Sequence, residues 1–288
     1  MNYRHAFHAG NFADVFKHVL LGTLVGAMQR KEKPFLYLDT HAGRGRYDLS
    51  TAARGDSLAR APEWPDGIGR LWERTDQPAP VAKYVDVVRA FNLRNGAGDG
   101  ALRFYPGSPV FATEWLRVDD RIVATEALGE ECTALRSEIG WRQRTIVQMQ
   151  DGYVALRAFL PPPERRALVL IDPPFEAMDE FERIEEGIRD TVSRLAQAVV
   201  AVWYPLTVRS PAGGFVASVR AVRFAPTLNI TFPVHVEELP GRLNGCGMLI
   251  LNPPWQIEKE IEPALGYLHE TLAREPGARA GIEWLVPE

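Results

Sequence analysis

Cysteine is scarce in this chain of 288 residues: Cys132 and Cys246 are the only two. Two thiols cannot build a disulfide framework, so a reducing compartment, the cytoplasm, is expected. Long apolar runs are missing too. The longest, Ala198 to Tyr204, has seven residues, far short of the roughly 18 that span a bilayer. The polar start Met1-Asn2-Tyr3-Arg4-His5 has no signal-peptide apolar stretch, so no membrane association is expected. Nor is there a surplus of positive charge. The 33 Lys and Arg stand against 37 Asp and Glu, a net charge of −4. That disfavours a protein that coats nucleic acid non-specifically and leaves room for an enzyme with a local basic face. No internal repeat is visible. No metal is expected, and the chain is expected to act as a monomer.

What is present fits a packed globular protein: 46% hydrophobic and 24% charged residues, outside the range of disordered chains. Asn11 can cap a helix in which Phe12, Val15, Phe16, Val19, Leu20, Leu24 and Ala27 recur at helical spacing, ending before Pro34. Phe35–Leu38 reads as a buried strand running into the glycine turn Asp39-Thr40-His41-Ala42-Gly43-Arg44-Gly45. From 48 to 105, Pro, Gly and Trp punctuate two helical stretches, near Gly67–Trp72 and Val81–Phe91. This segment is taken as an inserted helical subdomain, flanked by a main body over 1–47 and 106–288. Thereafter strands and helices alternate. Strands are expected at Arg121–Thr125, Thr145–Met149, Ala167–Ile171 and Ala198–Trp203. Helices are expected at Pro109–Leu116 (with Ser108 as cap), Leu128–Ile139, Tyr153–Leu160 and Phe181–Gln197, and an antiparallel pair at Leu228–Val236 and Met248–Leu251. Such alternation predicts an α/β, doubly wound, mostly parallel sheet.

In sheets of this kind ligands bind beyond the carboxyl ends of the strands, and the expected ends carry Asp39, Glu126, Asp151 and Asp172. The dinucleotide fingerprint is incomplete: Gly43 and Gly45 lack the third glycine, and an acid precedes them. S-adenosylmethionine has no phosphate but carries a sulfonium and an ammonium, and carboxylates suit it. Asp172-Pro173-Pro174-Phe175 after a central strand is the sharper signal. A carboxylate and nearby carbonyls can accept both N–H bonds of an exocyclic amine and aim its lone pair. Pro donates no N–H and leaves those carbonyls free, and the ring can stack on an extruded base. Asn252-Pro253-Pro254-Trp255 shows the same pattern but is assigned as a structural turn at the sheet edge.

Several strings together identify a resemblance. They are Tyr3-Arg4-His5-Ala6-Phe7-His8-Ala9-Gly10-Asn11, Lys17-His18, Lys33 to Gly43, Tyr105-Pro106-Gly107-Ser108-Pro109, Asp151-Gly152, Leu170 to Pro174, Trp203-Tyr204-Pro205 and Trp284 to Glu288. Over nearly its full length the chain resembles the RlmJ-type 23S ribosomal RNA adenine-N6 methyltransferases. The resemblance implies a Rossmann-like, class I S-adenosylmethionine-dependent methyltransferase fold with a small helical insertion after the first strand, and adenine 2030 of 23S rRNA as target. By motif it implies cofactor contacts at His18, His41, Ser108, Glu126, Asp151 and Gly152. Asp172 would be the catalytic carboxylate, also lying against the cofactor, and Tyr3 would contact the substrate. Phe175 stands where the family pattern has Tyr, keeping the stacking ring and losing a hydroxyl. Arg4, Lys17, Arg44, Arg46, Arg70 and Arg74 are candidates for contacts with RNA phosphates. The alternatives are the same chemistry on DNA adenine, or a non-catalytic RNA-binding assembly factor on this fold. The missing third glycine disfavours a nicotinamide-dependent reductase.

Overall fold

Helix α1 (Phe12–Gln29) starts where the Asn11 side chain accepts from the Ala13 and Asp14 backbone N–H groups, satisfying donors that a helix start leaves open. The helix is buried on nearly all sides. The computed structural model describes residues 7–52, 61–98, 100–208, 210–237 and 239–287, so Tyr3 and Arg4 lie outside the described residues.

After α1 come β1 (Leu36–Asp39), β2 (Arg46–Asp48), α2 (Leu49–Ala52), α3 (Ile68–Trp72), α4 (Ala79–Arg94), β3 (Phe104–Pro106) and α5 (Ser108–Trp115). The chain continues through β4 (Arg121–Glu126), α6 (Gly129–Ile139), β5 (Thr145–Met149), α7 (Gly152–Phe159), β6 (Ala167–Ile171), α8 (Glu180–Arg194) and β7 (Val199–Leu206). It closes with α9 (Ala212–Val222), β8 (Thr227–Pro233), β9 (Gly245–Leu251), α10 (Ile257–Leu272) and β10 (Gly281–Val286).

Eight strands form one sheet in the order β10-β8-β9-β7-β6-β1-β4-β5. From β7 to β5 all neighbours are parallel; β9 runs antiparallel to both β7 and β8. The central β1 and β6 are buried along their whole length, and both read as unbroken apolar runs because helices cover both faces. Side chains alternate between two cores. Tyr37, Leu168 and Leu170 pack with α1, α4, α5 and α10; Leu36, Leu38, Val169 and Ile171 pack with α7, α8 and α9. That is the period-two pleat of a strand.

The segment between β2 and β3 opens and closes on an antiparallel pairing, Arg46↔Pro106 to Asp48↔Phe104. Its helices have no separate core. Ile68, Val81, Tyr84 and Val88 join the α1 cluster.

The structure differs from the reading of the sequence in several places. Helices α9 and α10 and strand β10 are additional to the expected elements. Ser108 is no cap; the α5 cap is Gly107, and the Ser108 hydroxyl turns inward. Strand β9 is not at the edge but between β7 and β8. Its carboxyl end pairs with the start of β7, Leu251 opposite Val200, so Asn252 lies at the end of the sheet opposite to Asp172. There the Asn252 amide donates to the Ala196 and Ala198 carbonyls at 2.8 and 2.9 Å, which is a structural turn. The assignment stands, but direction rather than edge position is its cause.

Candidate active site

The parallel strands end together, and the loops leaving them line one cleft of about 1510 Å³. A pocket for a single small ligand is roughly 300–1,000 Å³, so this one has room for two. His18, His41, Ser108, Glu126, Asp151, Gly152, Asp172 and Phe175 all line it. The site residues expected from sequence are thus brought together, Tyr3 excepted, which is not described.

Asp172 follows β6, and Pro173 and Pro174 deny the turn two N–H donors. Its Oδ2 accepts from Lys17 Nζ at 2.6 Å, and the same ammonium lies 2.9 Å from Asp14 Oδ1. The Lys17, Asp14 and Asp172 side chains are only 8%, 4% and 18% exposed. Burial opposes the charge on Lys17, but the Asp14 and Asp172 carboxylates outweigh it and hold its pKa well above the usual value. Asp14 Oδ2 in turn accepts from the Gly10 N–H. Asp172 Oδ1 has no partner among the described residues. Lys17, a candidate phosphate contact from the sequence, is here engaged by two carboxylates. Asp14 and Lys17 three apart on an otherwise apolar helix were the signal that could have shown it.

Phe175 takes a left-handed backbone, φ +50°, unusual for a side chain of its size. It is held against Phe181 and Trp203, with ring centroids 5.2 and 5.7 Å away. Trp203 also lines the cleft, and sequence reasoning gave it no role.

Asp39 ends β1. Its Oδ2 accepts from the Tyr37 hydroxyl at 2.8 Å and the Ser108 hydroxyl at 2.7 Å, while Oδ1 is buried without a partner among the described residues. Burial pushes its pKa up to about 6 against the opposing hydrogen bonds from Ser108 and Tyr37. Glu126, at the end of β4, accepts from the Gly43 N–H at 3.0 Å and the Leu128 N–H at 2.8 Å. It thereby closes the turn that Gly43 and Gly45 form at φ +62° and +81°. Burial raises its pKa in spite of those bonds, and each oxygen keeps a lone pair for a further donor.

Asp151 caps α7 by accepting from the Tyr153 and Val154 N–H groups, and its Oδ2 accepts from Arg183 at 2.7 Å. Burial works against its charge; the Val154, Arg183 and Tyr153 hydrogen bonds prevail and lower its pKa. A Cβ on Gly152 would run into the Thr40 carbonyl, so only glycine lets α7 approach β1 this closely. The His41 Nδ1 lies 2.8 Å from the Thr40 hydroxyl, and burial lowers its pKa to about 4, leaving the ring neutral at physiological pH. His18 is fully buried, with Nδ1 2.8 Å from the Tyr105 hydroxyl and Tyr105 3.0 Å from that of Tyr84.

The candidate phosphate contacts at Arg44, Arg46, Arg70 and Arg74 are exposed and paired with Glu131, Glu138, Asp66 and Asp76. Ten carboxylates against five Lys and Arg line the cleft among the described residues. That balance fits a cationic ligand and repels a polyphosphate. No group of three or more His, Cys, Asp or Glu able to hold a metal occurs among the described residues. No helix is long and apolar enough to cross a membrane, again among those residues.

The sheet order, its reversed strands β9 and β10 and the acid-tipped strands β1, β4, β5 and β6 define a class I S-adenosylmethionine-dependent methyltransferase. Residues 32–286 match the family described as ribosomal RNA large subunit methyltransferase D, RlmJ. The chain belongs to that family. It is 38% identical to ribosomal RNA large subunit methyltransferase J of Escherichia coli strain K12 and 37% identical to the protein of that name in Haemophilus influenzae. Each match covers all 288 residues here and the whole of the relative. A crystal structure of a Legionella pneumophila protein superposes with a TM-score of 0.85 at 33% identity, covering 96% of this chain and 98% of that one.

Proposed function

We propose that this enzyme transfers a methyl group from S-adenosylmethionine to the N6 amine of one adenine in 23S ribosomal RNA, the family target being adenine 2030. The observation that carries this reading is Asp172. It is a strand-end carboxylate in a proline-locked turn, with one oxygen fixed by a buried ammonium and the other open in a cleft large enough for cofactor and base. The two relatives named above are rRNA methyltransferases by name, which supports RNA rather than DNA as substrate.

When bound, S-adenosylmethionine supplies an electrophilic methyl carbon on a sulfonium. Glu126 would accept from its ribose hydroxyls. Asp151, with Gly152 beside it, would accept from its adenine amine. His18, His41 and Ser108 would border its methionine end, with Asp39 close behind Ser108. The adenine amine is a weak nucleophile because its lone pair is delocalised into the ring. Asp172 Oδ1 would accept one N6–H and the carbonyls of the proline turn the other. That localises the lone pair and gives the departing proton an acceptor. Phe175 would stack on the extruded base, with Tyr3 as the further substrate contact. Lys17 fixes the rotamer of Asp172, so that positioning is settled before the base arrives.

The test is to map N6-methyladenine in 23S rRNA from cells with and without the protein, and with Asp172→Ala. The modification at adenine 2030 should vanish in both the deletion and the variant strain. Retention in the deletion strain overturns the target. Full methylation by Asp172→Ala overturns its role.

A further inference from the structure

RNA is a polyanion, yet the cleft is acidic. Five cationic side chains line it: Lys17, Arg44, Arg183, Arg242 and Arg274. Four of them face a carboxylate. Lys17 faces Asp14 and Asp172, Arg44 faces Glu131, Arg183 faces Asp151, and Arg274 faces Asp66, the last at 3.9 Å. Arg242 is exposed and has neither a hydrogen bond nor an ion pair among the described residues. A cation already neutralised by a carboxylate has little field left for a phosphate; an unpaired one keeps its whole charge.

The position of Arg242 is as informative as its charge. It lies between β8 and β9, and Gly245, where β9 begins, pairs with Leu206 at the end of β7. The connection therefore emerges at the same end of the sheet as Asp172. In the strand order, β1, β4 and β5 lie on one side of β6, carrying Asp39, Glu126 and Asp151 to the acidic half. Strands β7, β9 and β8 lie on the other. Two strand spacings, roughly 10 Å, separate β6 from β9.

The connection is tied down at its base. Asn244 accepts from the Leu239 N–H and donates to the Leu239 carbonyl, and its own N–H donates to Leu206. Glu275 accepts from the Val236 N–H and lies 3.0 Å from His235 Nδ1, while the Arg274 N–H donates to Val234. A cation on an anchored support costs little ordering when it engages a ligand.

We infer that Arg242 binds a backbone phosphate of the RNA strand that carries the target base, and that the strand enters the cleft over the β8–β9 connection. This rests on the reading of the chain as an RNA methyltransferase. It replaces Arg44, Arg46, Arg70 and Arg74, already paired with carboxylates, as the principal phosphate contact.

The test is fluorescence anisotropy of a labelled 23S rRNA hairpin containing adenine 2030, titrated with protein at several salt concentrations, with methyl transfer to the same RNA read in parallel. Arg242→Ala should weaken binding about tenfold near physiological salt and reduce the slope of log K against log salt by about one. Arg242→Lys should restore the slope and part of the affinity. Arg220→Ala removes one positive charge on α9, where Arg220 pairs with Glu283, and should change neither. Equal melting temperatures for all variants confirm that folding is intact. Arg242→Ala with wild-type affinity and slope overturns the inference, as does an equal effect of Arg220→Ala. A wild-type chain that binds this RNA with the expected Arg242 dependence but transfers no methyl sinks the methylation reading alone. One that does not bind it sinks the phosphate contact.

Discussion

At the scale of single residues, the site is a set of charges taken out of water, and each has a measurable consequence. Lys17 lies between Asp14 and Asp172. Lys17→Met would leave two carboxylates facing each other without a counter-ion. Removing one member of a buried ion cluster costs about 3 kcal/mol or more, so urea unfolding at pH 8 should show a loss of that size. Asp39 behaves in the opposite sense to an ordinary salt-bridged acid. Its pKa is pushed up to about 6 from 3.8, so the native state holds its proton more firmly than the unfolded chain. The stability this contributes is complete below pH 4 and is lost as pH rises through 6. Asp39→Asn keeps an oxygen for Tyr37 and Ser108 and removes that loss. The difference in unfolding free energy between variant and parent should move in favour of the variant by about 2–3 kcal/mol between pH 4 and pH 8. If the difference stays flat across that range, Asp39 is ionised in both states.

At the scale of elements, the same four-residue pattern occurs twice and strand direction separates the two. Asp172-Pro173-Pro174-Phe175 leaves β6 at the carboxyl end of the parallel strands. Asn252-Pro253-Pro254-Trp255 leaves the reversed β9 at the other end. Asn252→Ala should therefore cost stability, about 1–3 kcal/mol for two lost hydrogen bonds, and leave methyl transfer per folded molecule unchanged. Gly152→Ala should do the reverse of a surface change. Its Cβ meets the Thr40 backbone, so α7 must move away from β1. Cofactor affinity, measured by calorimetry, should then fall with stability. Nothing local distinguishes the two proline turns, because a strand's sequence does not state the direction of its neighbours.

At the scale of the whole molecule, the cleft joins residues from α1 to the β8–β9 connection, so ligand binding should be felt by the entire fold. A cofactor product such as S-adenosylhomocysteine, held at a hundred times its Kd, stabilises the native state by about 2.7 kcal/mol. For a chain of this length that is a rise in melting temperature of roughly 4–5 °C. Asp172→Asn should keep most of the rise while losing methyl transfer; loss of both would make Asp172 a cofactor residue first. The inserted helices share the α1 core, so they should melt with the body in a single transition.

The sequence by itself determined the alternation of strands and helices, because hydrophobic period and Gly/Pro punctuation are local properties. It also placed Asp39, Glu126 and Asp172 at the ends of apolar runs that must be buried, and Asp151 in the turn after the half-exposed β5. Only the tertiary structure decided that Lys17, 155 positions away, meets Asp172. It alone put β9 inside the sheet and left Arg242 as the cleft cation without a carboxylate among the described residues. Ion pairing and strand direction depend on where distant segments come to rest, and no periodicity within a segment records that.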